Sequence, residues 1–348
     1  MELTTFWFIL IAVLWTGYFF LEGFDFGVGM LLHPLGRTET QRRVMINTIG
    51  PVWDGNEVWL ITAGGATFAA FPNWYATLFS GFYLALFLIL LALIFRGVAF
   101  EYRGKVDDPR WRARWDLAIA WGSWLPAVLW GVAFANIVAG VPIDADGDVT
   151  GNLLTLLNPF ALLGGAVTAS LFLLHGANFL GLKAEGEVRE HARRAARRLA
   201  PVTVVAGAVF LGWNQLERGE PWTWVPVVVA ALALAATIAA GAADRDGWAF
   251  LATGVAIAAA VIALFGSLYP EVMPSTTDPA YSLTVDNASS TPYTLRIMTW
   301  VALFGTPVVL LYQSWSYWVF RRRIGNRHIP AAHGPGPAPG GVTTSEGA

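Results

Sequence analysis

Four carboxyl side chains lie where the sequence is otherwise typical of membrane-spanning helices. Glu22 and Asp25 are near the end of one apolar stretch, and Asp54 and Glu57 are near the start of the next. Each pair is spaced by three residues, so its two carboxyls share one face of a helix. An ionisable group inside a span costs roughly 2.5–3.5 kcal/mol on insertion scales, so four would cost on the order of 10 kcal/mol before pairing or protonation. A cost of that size indicates a function for the cluster.

The two stretches are expected to pair as antiparallel helices, which would bring the four carboxyls to one depth. Helix midpoints at about residues 19 and 60 place both pairs roughly 4–9 Å to the cytoplasmic side, at 1.5 Å per residue. Arg96, near the end of the third apolar stretch, reaches the same half. Burial favours the neutral acid and an arginine favours the anion, so carboxyls under both influences can exchange protons near neutral pH. The sequence therefore predicts a proton path with Arg96 as its charge partner.

A second interpretation of the same residues needs no proton transfer. The polar groups would then hold the helical hairpin together or bind a partner subunit, and Arg96 would neutralise Asp54 or Asp25. Both interpretations stay open at this point, because intramembrane ionisable groups are usually functional but structural pairs also occur.

The composition is that of a polytopic membrane protein. Of 348 residues, 55% are hydrophobic and only 13% are charged, whereas soluble domains carry about 25% charge. The mean hydropathy is +0.53. The net charge of -2 gives no reason to expect a nucleic-acid partner. The absence of cysteine excludes disulfides and cysteine-ligated metal within the chain.

Apolar stretches of about 20 residues predict the membrane spans. We place nine helices, at about 6–32, 48–71, 77–101, 115–140, 157–181, 199–216, 222–242, 247–269 and 293–320. The segment from Phe20 to Phe26 (FLEGFDF) resembles the segment from Leu173 to Phe179 (LLHGANF), which indicates an internal repeat. The predicted fold is thus all-α, with two four-helix bundles and one peripheral helix.

The repeat and the spans together divide the chain. The predicted parts are a first four-helix unit at 1–140 with the carboxyls, an outer loop at 141–156, a second four-helix unit at 157–269, an outer loop at 270–292, a ninth helix at 293–320 and a disordered cytoplasmic tail at 321–348. Lys and Arg are abundant after the first, third, fifth and ninth helices and scarce in the alternate loops. This alternation places the N-terminus outside and the C-terminus in the cytoplasm.

Histidine is scarce, and only His175 lies well inside a predicted span. Haem needs axial ligands, usually His or Met, and no pair of such residues is convincing here. We therefore predict no metal and no bis-ligated haem in this chain. A lone buried histidine such as His175 is more often a hydrogen-bonded structural residue than a ligand.

A family resemblance is carried by the run from Gly50 to Ala66 (GPVWDGNEVWLITAGGA) and by EGFDFGVGM at 22–30, FSGFY at 79–83, FRGVAFEYR at 95–103, LNPF at 157–160, VMPS at 272–275 and MTWV at 298–301. On these motifs the sequence resembles subunit II of the cytochrome bd-type quinol oxidases along nearly its whole length. In that family Asp25, Asp54 and Arg96 match proton-path positions, and Trp53 belongs to the same motif. Glu22 is acidic where a family acid is expected.

The resemblance implies a complex of the bacterial plasma membrane that oxidises quinol and reduces dioxygen to water. Haem b, haem d and the quinol oxidation site would lie in subunit I, the obligate partner, and small accessory membrane subunits are candidates. Subunit II would supply proton access and is a candidate for oxygen access. Some members hold a structural quinone in subunit II, which makes Trp53 and Trp59 candidate quinone or lipid contacts.

Three functions are thus compared. The first is a haem-free oxidase subunit with no catalytic residue of its own and a proton path of Asp54, Asp25, Glu57 and Glu22. The second is a stand-alone proton-coupled transporter, although transporters commonly build their site from interrupted helices of both repeats. The third is a purely structural assembly subunit.

Overall fold

The chain folds into a bundle of long helices with a small two-stranded sheet. The computed structural model describes residues 2–329. The α-helices are α1 (Leu3–Leu35), α2 (Glu39–Ile49), α3 (Trp53–Ala70), α4 (Pro72–Gly81), α5 (Tyr83–Tyr102), α6 (Pro109–Ala139), α7 (Pro159–Lys183), α8 (Gly186–Arg218), α9 (Trp224–Ala242), α10 (Asp246–Leu268) and α11 (Pro292–Val319). The strands β1 (Glu271–Met273) and β2 (Leu283–Thr284) pair antiparallel between α10 and α11.

Within residues 2–329, eight helices are long and apolar enough to cross a membrane, namely α1 and α5 to α11. This establishes an all-helical polytopic membrane protein. The remaining predicted span corresponds to α3, whose 18 residues include both Asp54 and Glu57. At 1.5 Å per residue α3 is roughly 27 Å long, slightly shorter than the hydrocarbon core of a bilayer.

Two predicted spans have different boundaries in the structure. The helix predicted at 48–71 begins only at Trp53, because a separate helix, α2, ends at Ile49 and a turn at Gly50 and Pro51 follows it. Thr38 and Gln41 form a capping box that starts α2. The helix predicted at 77–101 is preceded by the short helix α4, which ends at Gly81 just before α5 begins.

The helix predicted at 199–216 is much longer in the structure, because α8 already begins at Gly186. Its first half is the arginine-rich segment that the sequence suggested as a loop. Arg189 and Arg193 donate to Asp246 at the start of α10, with N–O distances of 2.6 and 2.8 Å. These ion pairs hold a polar helical extension beside the end of the apolar bundle.

The two helices that carry the predicted repeat, α1 and α7, cross each other in close contact. A Cβ built on Gly27 would lie 2.7 Å from the Cα of Gly176, and one built on Gly176 would lie 2.5 Å from the Cα of Gly27. Small residues at a crossing let helix backbones approach closely. The first helices of the two predicted units are therefore in direct contact at the centre of the molecule, and α6 also packs on both.

The outer loops close one end of the bundle. Backbone hydrogen bonds join Val141 to Pro274 and Ser290 to Ala70. At the other end, residues 321–329 contact α7, because Ile324 forms a bridge with Ala184. The rest of the predicted tail, from 330 onward, lies outside the described residues.

Candidate functional site

Arg96 joins two of the predicted acids in one buried ion-pair cluster. Its Nη1 donates to Oε1 of Glu22 and, at 2.8 Å, to Oε1 of Glu57. The side chains of Arg96 and Glu22 are fully buried, whereas that of Glu57 is 22% exposed. Three helices, α1, α3 and α5, thus meet at a single guanidinium group.

The rings of Phe26 and Phe100 cover Arg96. Its guanidinium carbon lies 4.9 and 5.3 Å from the two ring centroids. Contact between a cation and an aromatic face is favourable, more so away from water. The two aromatic rings therefore stabilise the positive charge of Arg96, which apolar surroundings alone would disfavour.

Asp25 lies in the same region and is held by an amide instead of by Arg96. Asn56 Nδ2 donates to Asp25 Oδ2 at 2.6 Å, and both side chains are fully buried. The second interpretation paired Arg96 with Asp25 or Asp54. The hydrogen bonds of Arg96 go instead to the two glutamates, Glu22 and Glu57.

Asp54 stands apart from the other three acids. It is exposed, in the first turn of α3, and its Oδ1 accepts a hydrogen bond from the backbone N–H of Gly55 at 2.8 Å. A carboxylate is favourable at the start of a helix because the free N–H groups there carry partial positive charge. Of the four carboxyls predicted at one level, the structure brings three into the buried cluster and leaves Asp54 at the surface.

The charges of the buried cluster do not balance when every group is ionised. Glu22, Asp25 and Glu57 would contribute three negative charges against the single positive charge of Arg96. Unpaired charge is costly at such a site. The neutral form of the cluster has one ionised carboxyl and two protonated ones, so the arrangement is suited to holding and exchanging protons.

The two tryptophans that flank the acids have different surroundings. The ring of Trp53 packs against that of Phe100, with 5.0 Å between centroids. Trp59 Nε1 donates to Gln313 Oε1 on α11 at 2.9 Å. Neither contact tests their predicted role in binding quinone or lipid.

Sequence reasoning missed Gln313 and Tyr317, which contact Asn56. The Tyr317 hydroxyl donates to Asn56 Oδ1 at 2.7 Å, and Gln313 Nε2 approaches the same oxygen at 3.5 Å. Residues four apart share a helix face, so these two polar side chains in an apolar helix were the available signal. Nothing in the sequence placed that face beside α3.

His175 is fully buried, and both of its ring nitrogens have partners. Nδ1 lies 2.7 Å from Thr253 Oγ1, and Nε2 lies 3.1 Å from the carbonyl oxygen of Phe20. The ring stacks on Phe250, with 4.5 Å between centroids. Among residues 2–329, no group of three or more His, Asp or Glu is arranged to hold a metal ion. His175 therefore joins α1, α7 and α10 through hydrogen bonds.

A second ion-pair network lies at the end of α5, where it connects α2 and α6. Arg103 donates to Asp116 Oδ1 at 2.5 Å and to Glu39 Oε2 at 2.8 Å, and Arg42 Nε lies 3.0 Å from Asp116 Oδ2. Burial raises the pKa of Glu39, but the hydrogen bonds and charge of Arg103, together with the charges of Arg42 and Arg112, outweigh burial, so the net pKa of Glu39 is lowered. Asp116 on α6 and Asp246 at the start of α10, the last helices of the two predicted units, thus both accept arginines.

Two cavities lie beside α3. A cleft of about 910 Å³ separates α3 from α1 and α11, and its lining includes Asp54, Asn56 and Trp59. A largely apolar cavity of about 560 Å³ lies among α3, α4, α5, α6 and α10. It is lined by Trp74, whose buried indole N–H has no hydrogen-bond partner among the described residues.

The family model for cytochrome bd terminal oxidase subunit II matches residues 3–320. A Bacillus subtilis protein, cytochrome bd ubiquinol oxidase subunit 2, is 45% identical over 92% of this chain and 96% of its own length. The Escherichia coli K12 cytochrome bd-I ubiquinol oxidase subunit 2 is 40% identical over 93% of this chain and 95% of its own length.

The solved structure of bd oxidase from Geobacillus thermodenitrificans contains a chain of similar fold. The two superpose with a TM-score of 0.75, over 92% of this chain and 97% of the other, at 19% sequence identity. This similarity concerns the fold, whereas the sequence relatives carry the family assignment.

Proposed function

Because this chain belongs to the family of cytochrome bd terminal oxidase subunit II, and is thus a subunit of a quinol oxidase complex, we propose that its carboxyl cluster conducts protons from the cytoplasm toward the haem-bearing subunit. The observation that carries this proposal is the single Arg96 nitrogen that binds both Glu22 and Glu57 inside a membrane protein. A proton taken up by either carboxyl weakens one ion pair while the other persists.

The exposure of each acid suggests an order along the path. Asp54 is exposed, Glu57 is 22% exposed, and Glu22 is fully buried. Asp54 and Glu57 are three residues apart on α3 and therefore share a face. We infer that a proton enters at Asp54, passes to Glu57 and reaches Glu22, while Asp25 exchanges protons with the cluster from its inner side.

The proposed topology has nine spans, with α3 as the short second span, in two four-helix units plus α11. The N-terminus would lie outside and the C-terminus in the cytoplasm. The ion pairs of Arg103 and Arg189 support this proposal, because both lie at the same end of the bundle. The positive-inside rule assigns such an arginine-rich end to the cytoplasm. The orientation is tested with Asp107→Cys and Asp146→Cys in sealed vesicles. A membrane-impermeant thiol reagent added from one side should reach only one of these two positions.

We propose that haem b, haem d and the quinol oxidation site lie in subunit I. Both nitrogens of His175 are already hydrogen-bonded, which argues against this residue as a haem ligand. We expect His175→Asn to leave the haem absorption bands of the assembled complex in place. Haem bands from this chain expressed alone would overturn the assignment.

Subunit I is also the obligate partner in this proposal, with small accessory subunits as further candidates. Within the described residues, α11 buries only Leu295 against the rest of the chain, and no neighbouring atom of the chain lies near a Cβ built on Gly55, Gly64 or Gly65. We infer that subunit I packs on the α3 and α11 faces, where these glycines would permit close helix contact.

The proposed site for a structural quinone is the apolar cavity beside α3, although neither of the predicted contacts, Trp53 and Trp59, lines it. Its aromatic walls, which include Trp74, suit a flat ring. The same apolar lining would also admit dioxygen. Extraction of the purified complex should yield a quinone, and less of it from Trp74→Phe. Equal yields from both proteins would refute this placement.

The proton path is tested by Asp54→Asn in the assembled complex, with haem content as the check on assembly. We expect slower oxygen reduction and slower charge separation across the membrane. Asp107→Asn is the matched control, because the Asp107 side chain is 67% exposed and pairs only at the surface. Full turnover and full charge separation in Asp54→Asn would exclude Asp54 from the path and favour the structural interpretation of this acid.

A further inference from the structure

The last helix, α11, is attached to the bundle by a polar contact near each end. Near its start, Trp7 Nε1 donates to the carbonyl oxygen of Leu295 at 3.2 Å and to Thr299 Oγ1 at 3.1 Å. Near its end, Tyr317 and Gln313 contact α3. The cleft of about 910 Å³ lies between these two contacts. The second contact therefore connects α11 to the acid cluster through Asn56.

Tyr317 is the nearer of two donors that hold the oxygen of the Asn56 amide, since Gln313 Nε2 is 3.5 Å from the same atom. A side-chain amide has an acceptor oxygen on one side and a donor NH₂ on the other. Because the Tyr317 hydroxyl donates to Oδ1 at 2.7 Å, the NH₂ group turns to the opposite side. There it donates to Asp25 Oδ2 at 2.6 Å. The two hydrogen bonds are thus geometrically coupled through one rigid group.

The charged groups around Asp25 come from three helices. Glu22 lies on α1, Asp54 and Glu57 lie on α3, and Arg96 lies on α5. Asn56 is the group that hydrogen-bonds Asp25 directly, while Asp25 Oδ1 is buried and has no hydrogen-bond partner in the described chain. The two oxygens of this carboxyl are therefore not equivalent.

We propose that Tyr317 is a positioning residue for proton transfer: through Asn56 it keeps Oδ2 of Asp25 hydrogen-bonded and reserves Oδ1 for proton exchange. The proposal rests on the proposed function of Asp25. It gives α11, otherwise a loosely attached helix, a direct influence on the chemistry of the cluster. Without the phenolic donor, only the longer contact from Gln313 holds the Asn56 oxygen, so the amide turns more easily and the carboxyl loses its fixed donor.

Infrared difference spectra of the assembled complex at two pH values provide the test. Asp25→Asn identifies the C=O stretching band of Asp25 by its loss. We expect Tyr317→Phe to shift that band to higher wavenumber, because the carbonyl loses its hydrogen-bond donor. Tyr312→Phe is the matched control, since Tyr312 is on the same helix and 69% exposed. It should leave the band unchanged.

Two further results complete the test. Tyr317→Phe should slow turnover in the native background and have no additional effect when Asp25→Asn is already present. An Asp25 band that does not move in Tyr317→Phe, or the absence of any Asp25 band between the two pH values, would overturn the inference. Full turnover in Asp25→Asn would instead refute the proposed role of Asp25, and the infrared comparison would still report whether Tyr317 orients the carboxyl.

Discussion

Replacement of Arg96 by methionine removes the positive charge of the buried cluster and nearly preserves its volume. Arg96 donates to two carboxyls, one of them fully buried. At an effective dielectric constant of about 20, opposite charges about 4 Å apart attract by about 4 kcal/mol. Removing one partner of a buried pair typically costs about 3–5 kcal/mol. We therefore expect Arg96→Met to lower the free energy of unfolding by about that amount at neutral pH.

The cost should depend on pH in a known direction. Without Arg96, Glu22 and Glu57 avoid unpaired charge by binding protons in the folded state. Stability increases as pH falls when the folded state binds more protons than the unfolded state. The deficit of Arg96→Met relative to the native protein should therefore shrink at low pH. Adding Glu22→Gln to Arg96→Met should recover part of the loss, because one uncompensated carboxyl is then removed.

Unfolding of the purified complex in mixed detergent micelles measures these differences. Arg112→Met is the control, because the pair of Arg112 with Asp107 is at the surface, where Asp107 is 67% exposed. Such a surface pair contributes about 0–1 kcal/mol. If Arg96→Met cost no more than Arg112→Met, or if its deficit grew at low pH, the cluster would not depend on charge neutralisation by Arg96.

Two further predictions concern parts of the chain outside the cluster. Arg103, with the charges of Arg42 and Arg112, lowers the net pKa of Glu39 against the effect of burial, so this carboxylate stabilises the fold above its ordinary pKa and stops doing so as pH falls through the lowered value. Glu39→Gln should accordingly reduce Tm at pH 7, and the difference from the native protein should shrink in acid and vanish below the lowered pKa of Glu39. Gly27→Ala should destabilise the crossing of α1 and α7 by about 1–3 kcal/mol, since the new methyl group would lie 2.0 Å from a backbone oxygen. Gly241→Ala, with no neighbouring atom within 4 Å, should leave thermal stability unchanged or slightly raised.

The long helices were predictable because their apolar stretches exceed the length needed to cross a membrane. The observed α7 and α10 begin and end within two residues of the prediction. The boundaries near α2 were not predictable by hydropathy, since Ile46 and Ile49 continue an apolar pattern across the turn at Pro51. The extension of α8 was hidden for another reason. Its arginine-rich sequence resembles that of a loop, and the ion pairs with Asp246 that stabilise it as a helix are visible only in the structure.

The acid cluster was predicted from spacing and depth, and three of its four carboxyls do meet. Depth alone could not distinguish which acid Arg96 binds, because that depends on how the helices are rotated about their axes. The exposure of Asp54 follows from the late start of α3, which leaves this residue in the first turn. Tyr317 was missed because a distant helix supplies it.

The short length of α3 affects how a proton would experience the membrane potential. If α3 begins at the cytoplasmic surface, as proposed, Asp54 lies at the aqueous edge of the electric field, and a proton bound there has moved through almost none of the voltage. One turn of helix adds about 5.4 Å of depth, which is less than a fifth of a hydrocarbon core of about 30 Å. A full crossing at 100 mV is worth about 2.3 kcal/mol per charge, so the first step to Glu57 works against less than about 0.5 kcal/mol. Loading of the path is then nearly independent of voltage, and most of the electrical work falls on the steps beyond the cluster.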